Sequence, residues 1–183
     1  MLSLIVILPF LSALLMGVVY LGNTKKKRYF FYTLVGVGIP VIITILSFMV
    51  GVQLLGGSDT IHHTLFQWLN VADLNIEVAF MADRLSVVMI SFITFIGMLI
   101  HIYAAGYMKE DEGYGKFFSY FNLFMGSMLL LVLADNPIIM FVGWELVGLS
   151  SYLLIGFYYK DSSNITAANK AFILNRVGDF GFI

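Results

Sequence analysis

From residue 29 to residue 58 the chain reads YFFYTLVGVGIPVIITILSFMVGVQLLGGS, thirty residues without a charge, closed by Asp59. A helix needs roughly 20 such residues to cross about 30 Å of hydrocarbon, so this stretch alone is long enough to span a bilayer. Outward from it the same pattern repeats. Met1 to Thr24 is free of charge until Lys25-Lys26-Lys27-Arg28, and Leu85 to Met108 is free if His101 is counted as neutral. Phe117 to Ala134 is free as well, and Asn136 to Tyr159 is broken only at Glu145. These runs predict five transmembrane helices. A sixth is expected to begin near Thr166 and to be still running at Ile183, with Arg176 and Asp179 inside it.

The fold class that follows is an all-α integral membrane protein, a polytopic helical bundle of about six transmembrane helices. The helices are expected at about 1–24, 29–55, 84–108, 117–134, 137–159 and 166–183. Because the sixth is unfinished, residues 1–183 read as the N-terminal membrane domain of something longer. Composition agrees: of 183 residues, 60% are hydrophobic and 11% charged, with a mean hydropathy of +0.94. Soluble domains carry about 25% charged residues, and disordered chains have too little apolar surface to match. A formal net charge of −1 gives no nucleic-acid surface. With no cysteine, the chain has no disulfide, no thiolate chemistry and no cysteine-ligated iron–sulfur cluster.

Orientation follows from the basic residues. Lys25, Lys26, Lys27, Arg28, Lys109, Lys116, Lys160 and Lys170 fall in odd-numbered connections, against Arg84 alone in the even ones. By the positive-inside bias the odd connections are cytoplasmic, and the N-terminus faces outward from a cell inner (cytoplasmic) membrane. The first span is read as a retained helix, since its basic cluster follows the apolar run and no small-residue cleavage site is evident.

The only long connection, Gly56 to Asp83, lies on the outer side in this reading. Leu74, Ile76, Val78 and Phe80 alternate with Asn75, Glu77 and Ala79, a strand period. His62 to Asn70 supplies a partner strand, giving a small outer β-hairpin with Phe66 and Trp68 suited to the membrane interface. His62 and His63 are adjacent, so on a strand they point to opposite faces. With no ligand cluster nearby, no metal is expected. Asp135-Asn136-Pro137 reads as a capped tight turn, and Asp83-Arg84 as the opening of the third helix.

The informative residues are ionisable groups within apolar helices. Glu145 lies well inside the fifth, where a charge costs about 3 kcal/mol. It is either part of a proton relay or a hydrogen-bonded pin between helices. Gly148, Tyr152 and Gly156 recur every four residues and form a face for close helix contact or a water pocket. Arg176 and Asp179 are three apart on one helix face and can pair, as a structural bridge or as relay members. His101 has a pKa suited to proton exchange, or is a packed, hydrogen-bonded histidine. Lys170, near the start of the sixth helix, joins the relay candidates or snorkels to the surface.

Three stretches carry a resemblance: Gly113-Tyr114-Gly115-Lys116-Phe117-Phe118, then Val132-Leu133-Ala134-Asp135-Asn136, then Gly143-Trp144-Glu145-Leu146-Val147-Gly148-Leu149-Ser150-Ser151-Tyr152 with Leu153-Leu154-Ile155-Gly156-Phe157-Tyr158. A fourth, Lys170 to Asp179, matches too. The chain resembles the L-subunit family of proton-pumping NADH:quinone oxidoreductase, respiratory complex I, over nearly its whole length and most strongly from Asp83 onward. The large subunit of multisubunit cation/proton antiporters shares these motifs and is the alternative.

The resemblance implies a subunit of about fourteen helices or more built from two inverted repeats, of which this chain covers the opening. It also implies that Glu145 is the fifth-helix glutamate that modulates a nearby lysine. Arg176 and Asp179 match charged positions in the same half-channel. The partner lysine, the broken seventh and twelfth helices and the lateral helix would lie beyond Ile183. No cofactor is expected in this chain: NADH, FMN, iron–sulfur clusters and quinone chemistry would belong to other subunits. The implied partners are the other membrane-arm subunits and the lipid bilayer. The implied activity is proton translocation coupled to quinone reduction, with no catalysis from this piece alone.

Overall fold

The computed structural model describes residues 1–22, 28–57, 59–71 and 74–181. Its elements are α1 (Leu2–Gly22), α2 (Tyr29–Leu55), β1 (Ile61–Val71), β2 (Leu74–Ala82), α3 (Arg84–Tyr107), α4 (Tyr114–Leu133), α5 (Pro137–Ile155) and α6 (Ser162–Asp179). Among the described residues five helices, α1 to α5, are long and apolar enough to cross a membrane. The chain is a multi-pass membrane protein with a small two-stranded antiparallel hairpin.

The expected sixth span is corrected in extent and character. α6 opens at Ser162, not near Thr166, because Asp161 caps it, accepting from the Ser163 amide at 3.0 Å and the Ser163 hydroxyl at 2.9 Å. It closes at Asp179, with the Gly181 amide donating to the Gly178 carbonyl at 2.9 Å. Residues 182–183 lie outside the described residues, as do Lys25, Lys26 and Lys27 of the first basic connection. Asn164, Asn169, Lys170, Asn175, Arg176 and Asp179 leave α6 too polar to rank with the five spans.

Two other boundaries move for one physical reason: absence of charge marks contact with hydrocarbon, whereas a helix is defined by its backbone hydrogen bonds. α4 begins at Tyr114, ahead of Phe117, because the long stem of Lys116 lets a charge ride in the first turn. Its Nζ lies 4.7 Å from the Phe157 ring centroid and 4.9 Å from that of Tyr159. α5 ends at Ile155, ahead of Tyr159, with the Gly156 amide donating to the Tyr152 carbonyl at 3.0 Å.

α4 is the central helix, packing against α1, α2, α3 and α5. Its buried Asn122 reaches both of its first neighbours. Its Nδ2 donates to the Gly36 carbonyl on α2 at 3.2 Å, and its Oδ1 accepts from Ser12 on α1 at 3.1 Å. Polar bridges of this kind substitute for a hydrophobic drive that lipid does not supply. Small residues do the rest. A Cβ on Gly143 of α5 would lie 2.7 Å from the Leu131 backbone of α4, so the two helices touch main chain to main chain there.

The helices alternate in direction, which gathers the hairpin, the start of α1 and the α4–α5 turn at one rim. Leu2, Ile5, Val50, Leu54, Phe80, Val87, Leu129 and Leu133 form the buried cluster beneath them. β1 pairs β2 from Ile61 with Ala82 to Asn70 with Asn75, with irregularities between Thr64 and Phe66 and between Gln67 and Leu69. The hairpin is stitched to the α4–α5 turn. Phe80 bridges Ala134, the Asp135 amide donates to Ala79 O at 3.2 Å, and Asn136 Nδ2 donates to Glu77 O at 2.8 Å. His62 and His63 diverge as a strand requires. His62 Nδ1 lies 3.4 Å from Asp135 Oδ1, and His63 Nδ1 lies 2.9 Å from Ser3 Oγ. At the opposite rim Tyr20, Lys116 and Lys160 line one cleft, so the α3–α4 and α5–α6 connections meet there.

Candidate functional site

α5 and α6 run antiparallel along one shared edge. A Cβ on Gly156 would lie 3.4 Å from Ala168, the Tyr152 and Phe172 rings are 5.5 Å apart, and a Cβ on Gly148 would lie 3.4 Å from Asn175. The four-residue recurrence of Gly148, Tyr152 and Gly156 is therefore the seam for close helix contact. At its hairpin end the seam brings the charges together.

Arg176 Nη1 donates to Glu145 Oε1 across the seam and forms an ion pair, at 3.2 Å, with Asp179 Oδ2 on its own helix. Trp144 Nε1 donates to Asp179 Oδ1 at 2.9 Å. The guanidinium also sits 5.1 Å from the Phe172 ring centroid, within cation–π range. The Asp179 side chain is 8% exposed, that of Glu145 22% and that of Arg176 52%. Two carboxylates thus share one guanidinium, each offsetting part of the cost of taking the others out of water. Between them lies a crevice of about 10 Å³ lined by Trp144, Glu145, Gly148, Phe172, Asn175, Arg176 and Asp179, close to the lower limit for a single water. Chemically this is one guanidinium within reach of two carboxylates on neighbouring helices.

The spacing of Arg176 and Asp179 pointed to their pairing; the convergence of Glu145, thirty-one residues earlier, comes from the seam. The other candidates stand elsewhere. His101 is buried on α3, its ring stacked 3.9 Å from that of Phe121 on α4. Its Nδ1 lies 2.7 Å from the Gly97 carbonyl, which can only accept, so Nδ1 carries the proton. Its buried Nε2 has no partner among the described residues. Lys170 is exposed, about 180° around α6 from Asp179 at 100° per residue, and makes no ion pair among the described residues. Trp144 was missed as a site residue. The signal available in the sequence was an indole, a donor with no acceptor, directly beside a membrane-buried acid.

Outside the spans, hydrogen bonds set the titration of three groups. The Ser86 amide and hydroxyl hold the Asp83 carboxyl below its usual range, and the Ser163 amide and hydroxyl do the same for Asp161. The Tyr158 phenol is raised by its hydrogen bond to Asp111, then by burial. Among the described residues no group of three His, Cys, Asp or Glu side chains is placed to hold a metal ion.

Two families match, and together they cover more than half of the chain. Residues 68–118 match the N-terminus of chain 5 of NADH-ubiquinone oxidoreductase (complex I), and residues 134–183 the transmembrane region of NADH:quinone oxidoreductase/Mrp antiporter proteins. The chain is 45% identical over 181 residues to NADH-quinone oxidoreductase subunit L of Escherichia coli (strain K12), covering 98% of this chain and 29% of that protein. It is 49% identical over 142 residues to subunit L of Mycobacterium tuberculosis (strain CDC 1551 / Oshkosh), covering 74% and 22%. It is 40% identical over 185 residues to NAD(P)H-quinone oxidoreductase subunit 5, organellar chromatophore 1, of Paulinella chromatophora, covering 98% and 27%. The chain therefore spans less than a third of the length of these relatives.

Proposed function

Because the chain belongs to the family of antiporter-like membrane subunits of NADH:quinone oxidoreductase, of which subunit L is one, we propose that it is the opening part of a proton-translocating subunit of that complex. The observation that carries this reading is one guanidinium, Arg176, shared by carboxylates on two helices, Glu145 and Asp179. Ionisable groups inside membrane helices are expensive and are kept where they move ions or protons. When Glu145 gains a proton its hold on Arg176 weakens, and the guanidinium turns to Asp179; loss of the proton restores the shared state. Quinone reduction in other subunits would bias that exchange, and this subunit would act as a translocase without redox chemistry of its own. Its partners would be neighbouring membrane subunits and lipid, in the inner membrane with the hairpin rim outward. Lys170 and His101 have a weaker claim, since neither touches the cluster.

The second reading, a large subunit of a cation/proton antiporter, is favoured only by the breadth of the family that matches residues 134–183. One experiment separates the possibilities. In the full-length subunit within its complex, Glu145→Gln keeps shape and hydrogen bonding but cannot ionise. It should assemble normally and lose at least tenfold in proton uptake and coupled quinone reduction, while Glu145→Asp keeps a good part of both. Normal proton uptake in assembled Glu145→Gln vesicles would remove the relay and leave a helix pin. Proton exchange driven by a sodium gradient without quinone turnover would favour the antiporter.

A further inference from the structure

Asp179 is the most firmly held member of the cluster, and one of its two anchors carries no charge. Indole has a single polar atom and it is a donor; that of Trp144 is committed to Asp179 Oδ1 at 2.9 Å, while Oδ2 takes Arg176 at 3.2 Å. Both oxygens of a side chain only 8% exposed are thereby occupied. Glu145 is held differently. Among the described residues only its Oε1 has a partner, and it lines the crevice. The backbone that carries Trp144 is held close to α4, because its neighbour Gly143 lies against the α4 main chain at Leu131.

We infer that Trp144 is a positioning residue of the relay. Its N–H satisfies Asp179 Oδ1, so that Asp179 draws on Arg176 through Oδ2 alone and the guanidinium stays shared with Glu145, the carboxylate that exchanges protons and releases it. This rests on the relay reading above. Remove the N–H, and Asp179 Oδ1 becomes a buried acceptor without a donor, a state that folded proteins relieve by rearranging. The nearest relief is for Arg176 to swing wholly onto Asp179, which unpairs Glu145.

Two substitutions in the full-length subunit within its assembled complex test this. Trp144→Phe keeps an aromatic ring of fair size and has no donor. Trp144→His is smaller, but its imidazole overlays the five-membered ring of indole and places an N–H near the same point. A donor role ranks His above Phe; a packing role ranks Phe above His, because His leaves the larger void. The expected result is that Trp144→Phe lowers kcat for proton-coupled quinone reduction about tenfold with quinone KM unchanged, the low end for a hydrogen bond to a charged group. Trp144→His should recover a good part of that loss. The same order in assembly, with His assembling where Phe does not, supports the role equally. Phe equal to or better than His, in turnover or in assembly, overturns it. Glu145→Gln belongs in the same series. If it is silent, the relay itself falls; if it is slow while Phe matches or exceeds His, only the role of Trp144 falls.

Discussion

At the scale of single residues the cluster is asymmetric, and the asymmetry is measurable. Among the described residues Arg176 is the only cation between the two acids, so Arg176→Ala leaves both carboxylates without an ion-pair partner, whereas Asp179→Ala leaves Arg176 still paired with Glu145. Losing the partner of a buried charge is costly, and of the two acids Asp179, 8% exposed, is the more buried. Arg176→Ala should therefore be the more damaging change, Asp179→Ala the milder, and the double variant less damaging than their sum. Assembly levels and turnover in a double-mutant cycle check this, and additivity within about 0.5 kcal/mol would show that the two do not interact. The pairing was legible in the sequence because residues three apart on a helix share a face. The third member was visible only as an isolated acid, since no local rule relates Glu145 to a residue on the next helix. Trp144 was hidden for a plainer reason: an aromatic residue in an apolar run reads as lipid contact until its N–H is seen to have a partner.

At the scale of elements, spans were legible and ends were not. Runs without charge located α1 to α5, and strand alternation located the hairpin, because lipid and a half-buried sheet each impose a simple pattern on composition. Helix ends answer to caps, and α6 shows it: Asp161 opens the helix four residues ahead of the place suggested by hydrophobicity. α3 opens on a reciprocal cap. The Ser86 amide donates to Asp83 Oδ1 at 2.7 Å and the Asp83 amide donates to Ser86 Oγ at 2.7 Å. These bonds favour the ionised carboxylate and hold Asp83 below its usual range. A depressed folded-state pKa contributes stability that is fully present above the unfolded value, about 3.9, and is lost as pH falls through the folded value. Asp83→Ala should lower the stability of the solubilised complex at pH 7 by about 0.5–2 kcal/mol. Its deficit against the parent should shrink below about pH 4. Thermal unfolding at pH 7 and pH 3.5 checks this, and a deficit independent of pH would show that the carboxylate charge contributes nothing.

At the scale of the whole molecule, the two rims differ in chemistry. One carries the hairpin and the capped α4–α5 turn; the other carries Lys109, Lys116 and Lys160 beside the acidic loop Glu110-Asp111-Glu112. Cysteines introduced at Gln67 in β1 and at Glu112 in the α3–α4 connection, both exposed, should be labelled by an impermeant thiol reagent from opposite sides of the membrane. Gln67 should react from outside. Labelling of both from one side would refute the orientation drawn from the basic residues.

The stitching of the hairpin to the α4–α5 turn has a mechanical consequence. Contacts at Ala134, Asp135 and Asn136 clasp the chain to the hairpin just ahead of α5, and no comparable stitch to a strand binds the opposite rim among the described residues. A helix clasped at one end behaves as a lever whose fulcrum is the clasp. Glu145 is eight residues from Pro137, roughly 12 Å along the axis, so it rides on the short arm while Ile155 rides on the long one. A tilt large enough to rearrange the basic rim displaces Glu145 by less than half as much. The geometry is geared down, and a broad swing at one face of the membrane reaches the Arg176 cluster as a shift of hydrogen-bond size.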